Sequence, residues 1–264
     1  MFTTFVINLD KDTERMKFMH SQLLGCRIVY RRQTAILGKA YTASTAEYDS
    51  ARAVKATGHA LIPGEIGCAL SHLGVYKTIV AEGLPYSLVF EDDVAIPNNF
   101  KEIVESMVIT QPLTSFEYLL FDYVPVGLPY IRQWFLSVRR TIQLHSRTSW
   151  FAAVLAMLYA GVKVWYIVPL ALYEGWRDTA KKTKPGPVRF YRPVYFAGAY
   201  LITLEGAKKL VSLAEPVIYT ADQLPNRARI LRGLRFFCYA PLCVSQLKQT
   251  YGSSILDVAG KDIR

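Results

Sequence analysis

The sequence predicts an α/β fold with a mainly parallel central sheet flanked by helices. Apolar runs rich in aromatic and β-branched residues alternate along the chain with segments whose apolar residues recur at helical spacing. Polar residues follow several of these runs directly, which is typical of buried strands that open into loops. Of the 264 residues, 52% are hydrophobic and 20% are charged, so the chain can form one sizeable folded core.

The first half of the chain contains the clearest elements. The helix predicted to begin at Pro63 has a single apolar stripe and ends at Gly83. Before it, Asp12 or Thr13 can cap another helix. The predicted elements, in order, are a strand over Phe2 to Leu9, a helix ending at Gly25, a strand over Cys26 to Tyr30, an irregular segment over 31–59, the helix from Pro63, a strand over Ser87 to Phe90, a helix over Asn99 to Val108 and a strand over Tyr118 to Asp122.

The second half divides into a distinct middle segment and a C-terminal series of elements. Residues 130–188 are predicted to be a helical insertion in a single domain of residues 1–264, because their apolar and basic composition differs from what precedes them. The elements predicted after it are a strand over Tyr195 to Thr203, a helix over Glu205 to Leu213, a loop over Tyr219 to Leu224 and a strand within Phe236 to Val244.

The insertion contains an apolar stretch, Trp150 to Tyr173, with Lys163 as its single charge. It is long enough to span a bilayer, but a crossing would separate polar segments that one site needs together. Helices lying in the membrane interface are therefore favoured, with a buried helical pair or a dimer interface as the alternative. The basic residues that would meet anionic lipid are Arg132, Arg139, Arg140, Arg147, Arg177, Lys181, Lys182 and Lys184.

The formal charge of +10 favours anionic partners, whether nucleic acid, acidic lipid or a phosphorylated substrate. Nucleic acid is not expected, because the basic residues concentrate around the apolar stretch without a recognition motif. The four cysteines form no CxxC pair and are expected to be core thiols. The N-terminus has none of the features of a signal peptide, so the chain is expected in the cytoplasm.

Three successive acids, Glu91, Asp92 and Asp93, follow the strand that ends at Phe90. Their mutual repulsion is costly unless a cation offsets it. Because alternate residues of an extended segment project to the same side, Glu91 and Asp93 can share one metal while Asp92 points elsewhere. Oxygen ligands of this kind suit Mg²⁺ or Mn²⁺. A solvated acidic turn or a helix cap is the alternative.

Five sequence blocks share a pattern with a known family. The blocks are Val6 to Asp10 with Arg15, Gly64 to Leu73, Leu88 to Val94, Gly198 to Thr203 with Glu205 to Leu210, and Thr220 to Leu224. Taken in order, they resemble glycosyltransferase family 25, the lipooligosaccharide galactosyltransferase family of Gram-negative bacteria, which is also similar to collagen galactosyltransferase domains. The resemblance extends over about residues 2–110 and 190–256 and leaves out the middle segment.

The resemblance implies a GT-A-like fold and transfer of a sugar, galactose first, from a UDP-sugar to a saccharide acceptor with inversion. It also implies a divalent metal, Mn²⁺ or Mg²⁺, on the diphosphate of the donor. The acceptor it suggests is lipooligosaccharide or lipopolysaccharide. The enzyme is then expected to lie peripherally at the inner face of the bacterial inner membrane, beside a lipid-linked acceptor.

Donor binding is predicted to involve two parts of the chain. Asn8 and Asp10 stand where open α/β sheets bind ligands and can hydrogen-bond a uracil or a ribose, and Arg15 can cover a phosphate. Ser71 and His72 lie on the helix beside the acidic strand end, where they can face the nucleotide sugar. The alternatives are turn residues, a surface arginine and a structural histidine.

Inversion requires a base for the proton of the acceptor hydroxyl, and Asp222 is the first candidate, with Asp92 the second. Some GT-A enzymes complete their metal site with a histidine near the C-terminus. No histidine follows His145 in this sequence, so Asp222 or the diphosphate and water must complete the metal site here. Gly198 can let the backbone approach the ligand closely. A helix-capping role for Asp222 and a strand bulge at Gly198 are the alternatives.

Two other functions compete with glycosyl transfer. A membrane-associated protein that had lost catalysis would be expected to lack the metal site, but Glu91 to Asp93 are intact. A phosphoryl transferase can also use an acidic metal site, but the chain has no GxxxxGK[ST] loop.

Overall fold

The computed structural model describes residues 2–110, 115–123, 185–190 and 193–247. The strands in these residues are β1 (Thr3–Asn8), β2 (Arg31–Thr34), β3 (Tyr86–Glu91), β4 (Val94–Ala95), β5 (Tyr118–Leu120), β6 (Gly186–Val188), β7 (Ala199–Thr203), β8 (Phe236–Ala240) and β9 (Ser245–Gln246). The helices are α1 (Thr13–Gly25), α2 (Ser50–Thr57), α3 (Pro63–Glu82), α4 (Phe100–Thr110), α5 (Leu204–Ala214) and α6 (Gln223–Leu231), with a 3-10 helix at Gly38–Ala40.

The central sheet has seven strands in the order β2-β1-β3-β7-β5-β8-β6. Strand β1 pairs in parallel with β2 and β3, and β5 pairs in parallel with β8. Strand β7 is antiparallel to both of its neighbours and β6 is antiparallel to β8, so five of the seven strands run in one direction. The predicted α/β class with a mainly parallel sheet flanked by helices is confirmed.

The core lies around the middle strands of this sheet. Strand β7 is buried along its whole length, and β3 is buried until its last residue. Phe100 of α4 packs against Phe90 and Phe121, with ring centroids 5.5 Å and 5.0 Å apart. Burial of each such side chain stabilises the fold by about 1.5–3 kcal/mol. The end of β3 is therefore held by a well-packed frame.

The strand predicted over Cys26 to Tyr30 is wrong, because this segment terminates α1. The backbone N–H of Ile28 donates to the C=O of Leu23 (2.8 Å), and Arg27 has a left-handed φ of 54°. The second strand is β2, which follows directly. Most of its side chains are exposed, so it lacks the apolar pattern by which a buried strand is predicted.

Helix α6 was not predicted, since Tyr219 to Leu224 was expected to be a loop. Asp222 is the N-cap residue of this helix, and Pro225 lies in its first turn, where a missing backbone N–H breaks no helical hydrogen bond. Asn226 fastens the helix to Val194. Its side-chain amide donates to the C=O of Val194 (2.6 Å) and its side-chain oxygen accepts from the N–H (3.0 Å).

The chain divides into two compact units. One consists of Met1–Tyr123, Gly186–Arg189 and Pro193–Arg264, and the other of Val124–Pro185 and Phe190–Arg192. The predicted insertion, 130–188, lies mostly outside the described residues, and its last three residues form β6 of the central sheet. Within the described ranges, none of the helices has the length and apolar character that a membrane crossing requires. The apolar stretch Trp150 to Tyr173 lies outside those ranges.

Candidate functional site

The acidic cluster, Glu91 to Asp93, lies at the carboxyl end of β3 in the middle of the sheet. The backbone N–H of Glu91 donates to the C=O of Gly198 (2.7 Å). Strand β1 runs parallel beside β3, with Ile7 opposite Glu91, so Asn8 emerges at the same edge. Parallel pairing of β1 and β3 thus brings Asn8 and the acidic cluster to the same edge of the sheet.

Two of the predicted donor-binding residues hold the buried side chain of Asp92 at this edge of the sheet. Its side chain is buried, and its Oδ2 accepts a hydrogen bond from Asn8 Nδ2 (2.6 Å). Arg15 Nη1 donates to Asp92 Oδ1 (3.3 Å) and lies 3.8 Å from Asp93 Oδ2. Burial raises the pKa of Asp92, while the Asn8 hydrogen bond and the Arg15 charge oppose that rise. Asn8 and Arg15 therefore both contact the acidic cluster.

Asp10, the third predicted residue of this group, is exposed and forms an ion pair with Arg32 (2.5 Å). The same guanidinium donates to the side-chain oxygen of Asn8 (2.8 Å) and to its C=O (3.3 Å). Sequence reasoning missed Arg32, because the segment after Tyr30 was expected to be irregular. Its place on β2, parallel to β1, sets it beside the carboxyl end of β1.

Glu91 contacts helix α3 through two side chains. Its Oε1 lies 3.0 Å from His72 Nε2 and accepts a hydrogen bond from the thiol of Cys68 (3.8 Å). The other ring nitrogen of His72 lies 2.9 Å from the hydroxyl of Tyr200 on β7. His72 is only 1% exposed. This predicted donor-binding residue is thus fixed between Glu91 and Tyr200.

Cys68 is surrounded by negative charge. Burial raises its pKa well above the ordinary value, and the charges of Glu91, Asp222 and Asp93 raise it further, in that order. The negative charges of the two predicted metal ligands and of the predicted base therefore all disfavour the thiolate form of Cys68. Sequence reasoning treated Cys68 as a core thiol, but its position four residues before His72 on a predicted helix placed both on one face.

Asp222 is half-buried where α6 begins. Its Oδ1 accepts a hydrogen bond from the Thr220 hydroxyl, and its backbone C=O accepts from Asn226 Nδ2 (3.0 Å). The side chain makes no capping hydrogen bond to the helix. Its carboxylate is therefore held by a neighbouring hydroxyl.

Asp122 is a carboxylate that sequence reasoning did not assign to the site. It is 2% exposed; its Oδ1 accepts from the N–H of Ala199 (3.0 Å), and its Oδ2 accepts from the N–H of Gly198 (2.8 Å) and from Gln246 Nε2 (3.2 Å). Burial raises its pKa well above the ordinary range, and the charge of Glu91 adds to the rise. The space beside Gly198, expected to admit a ligand, is filled by this side chain.

Ser71 faces the segment that follows β2. Its hydroxyl donates to the C=O of Gly67 (2.6 Å) and accepts from the N–H of Ile36 (2.8 Å). The hydroxyl thereby fastens this segment to α3. Its predicted contact with a donor stays a prediction.

The donor set at the end of β3 fits a hard divalent cation. Carboxylate oxygens are the ligands that Mg²⁺ and Mn²⁺ prefer, and Glu91 and Asp93 supply them at the end of β3. Neighbouring carboxylates repel one another, so a cation held by these two residues would relieve that repulsion. Glu91 and Asp93 are the residues that would hold it.

Residues 1–147 match the sequence profile of glycosyltransferase family 25, described as an LPS biosynthesis protein. Procollagen galactosyltransferase 1 of Danio rerio is 33% identical over 132 residues, which are 47% of this chain and 21% of that protein. Inactive glycosyltransferase 25 family member 3 of Mus musculus is 32% identical over 109 residues, 39% of this chain and 18% of that protein. The chain spans about a fifth of the length of these curated relatives.

A solved structure of a glycosyltransferase involved in the glycosylation of the major capsid of PBCV-1 also aligns with the chain. The alignment covers 96% of this chain and 94% of that one, with a TM-score of 0.45 and 10% sequence identity.

Proposed function

We propose that this chain, which belongs to glycosyltransferase family 25, transfers a sugar from a UDP-sugar to a saccharide acceptor with inversion. The observation that carries the proposal is the acidic cluster at the carboxyl end of β3, whose three carboxylates are contacted by Asn8, Arg15 and His72. In open α/β sheets, ligands bind outside the carboxyl ends of the strands. Galactose is the first donor sugar to test, since a relative is named procollagen galactosyltransferase 1.

In this proposal Glu91 and Asp93 hold a divalent cation, Mn²⁺ or Mg²⁺. When bound, the cation neutralises the negative charge that develops on the diphosphate leaving group. Arg15 orients Asp93 through its ion pair (3.8 Å), and His72 orients Glu91 (3.0 Å). Asn8 and Asp10 contact the uracil or the ribose in this proposal. Arg15 lies over a phosphate, and Ser71 faces the nucleotide sugar.

Asp222 is the group that would accept the proton of the acceptor hydroxyl. It is half-buried, so an acceptor can reach it, and Thr220 orients its carboxylate. Asp92 is a weaker candidate for this step. It is 6% exposed, and each of its oxygens already accepts a hydrogen bond, from Asn8 or from Arg15. Its role in the proposal is to position those two side chains.

The proposal includes a lipid-linked lipooligosaccharide or lipopolysaccharide acceptor and a peripheral place at the inner face of the bacterial inner membrane. The description of the family as an LPS biosynthesis protein supports the acceptor. The net charge of +10 and the apolar and basic sequence of residues 130–188 support a contact with anionic lipid.

The donor site is tested by calorimetric titration of the metal-free protein with UDP, UDP-galactose, UDP-glucose and UDP-N-acetylglucosamine, in Mn²⁺ or in EDTA. We expect UDP to bind only with Mn²⁺, and Asp93→Asn to weaken its binding at least about tenfold because a metal ligand is lost. Asp49→Asn is the matched control, since Asp49 is also half-buried but caps α2, and asparagine caps a helix equally well.

Transfer needs its own assay, since one relative is named inactive. Labelled UDP-galactose and truncated lipooligosaccharide should give a labelled product with wild type and none with Asp222→Asn. If the nucleotide binds but no sugar is transferred to any acceptor, the chain is a non-catalytic member of the family. If no UDP-sugar binds at all, the proposal fails.

A further inference from the structure

Three potential metal ligands lie together beside the acidic cluster. Cys68 and His72 are one helical turn apart on α3, and Glu91 reaches them from the end of β3. One possible ligand atom from each of these three residues lies within 4.8 Å of those from the other two. Sulfur and imidazole ligands distinguish this group from the carboxylate set of Glu91 and Asp93.

Two of the three ligand separations lie close to those of a tetrahedral zinc centre. Zinc bonds of about 2.3 Å to sulfur and about 2.0–2.1 Å to nitrogen or oxygen imply ligand separations of about 3.3–3.6 Å. The distance from His72 Nε2 to Glu91 Oε1 is 3.0 Å and that from Cys68 Sγ to Glu91 Oε1 is 3.8 Å, one on either side of this range. Small side-chain rotations would bring all three onto one cation.

The ring of His72 is also held by a second hydrogen bond, as is usual for a metal-binding histidine. Ligating histidines bond their second nitrogen to an outer partner that fixes the ring, and His72 Nδ1 lies 2.9 Å from the Tyr200 hydroxyl. Tyr200 is itself fully buried and stacks on Tyr118, with centroids 4.6 Å apart and planes at 19°. His72 Nε2 is thereby held facing Glu91 and Cys68.

We propose that Cys68, His72 and Glu91 form a site for a thiophilic divalent cation of the zinc class, with water in a fourth position. Sulfur and imidazole favour zinc over Mn²⁺ or Mg²⁺. On binding, the thiol proton of Cys68 is released to solvent as the metal–sulfur bond forms. Because Glu91 belongs to both ligand sets, zinc at this site weakens Mn²⁺-dependent UDP binding. That last consequence alone rests on the proposed function.

The site is tested with Co²⁺ as a spectroscopic substitute for zinc on the metal-free, full-length chain. One equivalent should give intense tetrahedral d–d bands together with a sulfur-to-cobalt charge-transfer band, and Zn²⁺ should remove both. Cys68→Ser should abolish the charge-transfer band. Cys26→Ser should leave it intact, since the Cys26 thiol donates to the C=O of Pro97 (3.4 Å), a bond that serine can also make.

X-ray absorption at the zinc edge of the wild-type protein does not depend on whether a variant folds. One sulfur neighbour at about 2.3 Å with nitrogen and oxygen neighbours is the expected result. A zinc shell without sulfur, or equal charge-transfer bands in Cys68→Ser and Cys26→Ser, would overturn the proposal. Asp93→Asn separates the two proposals, because it should weaken UDP binding in Mn²⁺ at least about tenfold and keep the cobalt spectrum. If the wild-type protein gives the cobalt spectrum but binds no UDP, the result refutes the proposed function and leaves the zinc-site proposal standing.

Discussion

The carboxylate of Asp122 fills the space beside Gly198 at the start of β7. A Cβ at position 198 would clash with Asp122 Oδ2, and it would lie 2.9 Å from Val94 Cγ1 and 3.0 Å from Gln246 Nε2. The C=O of Gly198 also accepts the backbone N–H of Glu91 (2.7 Å). A shift of the backbone at Gly198 would therefore also move Glu91 of the acidic cluster.

We expect Gly198→Ala to lower the free energy of unfolding by about 1–3 kcal/mol, because the added methyl group overpacks a buried site. Urea unfolding followed by fluorescence measures the change. Gly25→Ala is the control: no atom lies within 4 Å of its added Cβ, and it lies in α1, where alanine is favoured over glycine. A Gly198→Ala protein as stable as wild type would mean that the site relaxes freely.

The positions of residues at the sheet edge could be predicted where they depend on local sequence, while their roles stay predictions. The acids after β3 and Asn8 after β1 were visible because a polar residue that follows a buried strand lies at the sheet edge. Asp122 and Cys68 were not assigned to the site, since their partners, Gly198 and Glu91, come from distant parts of the chain. Contacts of that kind depend on the packing of whole elements, which a single sequence does not report.

At the level of elements, helix α3 carries Cys68 and His72 to the site, and its position depends on a close contact at Gly67. A Cβ there would lie 2.5 Å from the C=O oxygen of Ile36 and 2.7 Å from the N atom of Gly38. Those neighbours are backbone atoms, which cannot rotate away. The helix and the segment after β2 are therefore packed with no space for a side chain.

Gly67→Ala should push α3 away from that segment, destabilise the protein by about 1–3 kcal/mol and weaken UDP binding in Mn²⁺. Thermal unfolding and calorimetry give the two readouts. Gly74→Ala on the same helix is the matched control, because its Cβ would meet only Gln33 Nε2 at 3.7 Å. That variant should be more stable by about 0.8–1 kcal/mol, the usual preference for alanine in a helix. Similar losses in both variants would refute the close-contact argument.

The helices and strands differ in how well their sequences predict them. Helix α3 was predicted because its apolar stripe, its initial proline and its final glycine all agree. Strand β2 lies at the sheet edge with mostly exposed side chains, so no apolar pattern marks it. Helix α6 is short and opens with polar residues and Pro225, and it is held by tertiary hydrogen bonds from Asn226.

At the scale of the whole molecule, the candidate site concentrates buried acids in a protein of positive net charge. Burial raises the pKa of Asp92 and, more strongly, that of Asp122. A carboxyl group whose pKa is higher in the folded state binds more protons there than in the unfolded chain. The protein therefore loses stability as the pH rises through the folded pKa, which is the opposite of the usual effect of ion-paired carboxylates.

Asp122→Asn should remove the part of this pH dependence that Asp122 causes. Between the ordinary carboxyl pKa and the raised one, the wild-type free energy of unfolding should fall with pH more steeply than that of the variant, by up to about 1.4 kcal/mol per pH unit. Asparagine cannot accept all three hydrogen bonds that Asp122 accepts, so the variant should be less stable at low pH and the two curves should converge as the pH rises.

Urea unfolding of the metal-free proteins from about pH 5 to about pH 8 measures the slopes. Asp49→Asn, on α2, should keep the wild-type slope. Parallel curves for wild type and Asp122→Asn would show that this carboxylate is ionised in the folded protein throughout that range.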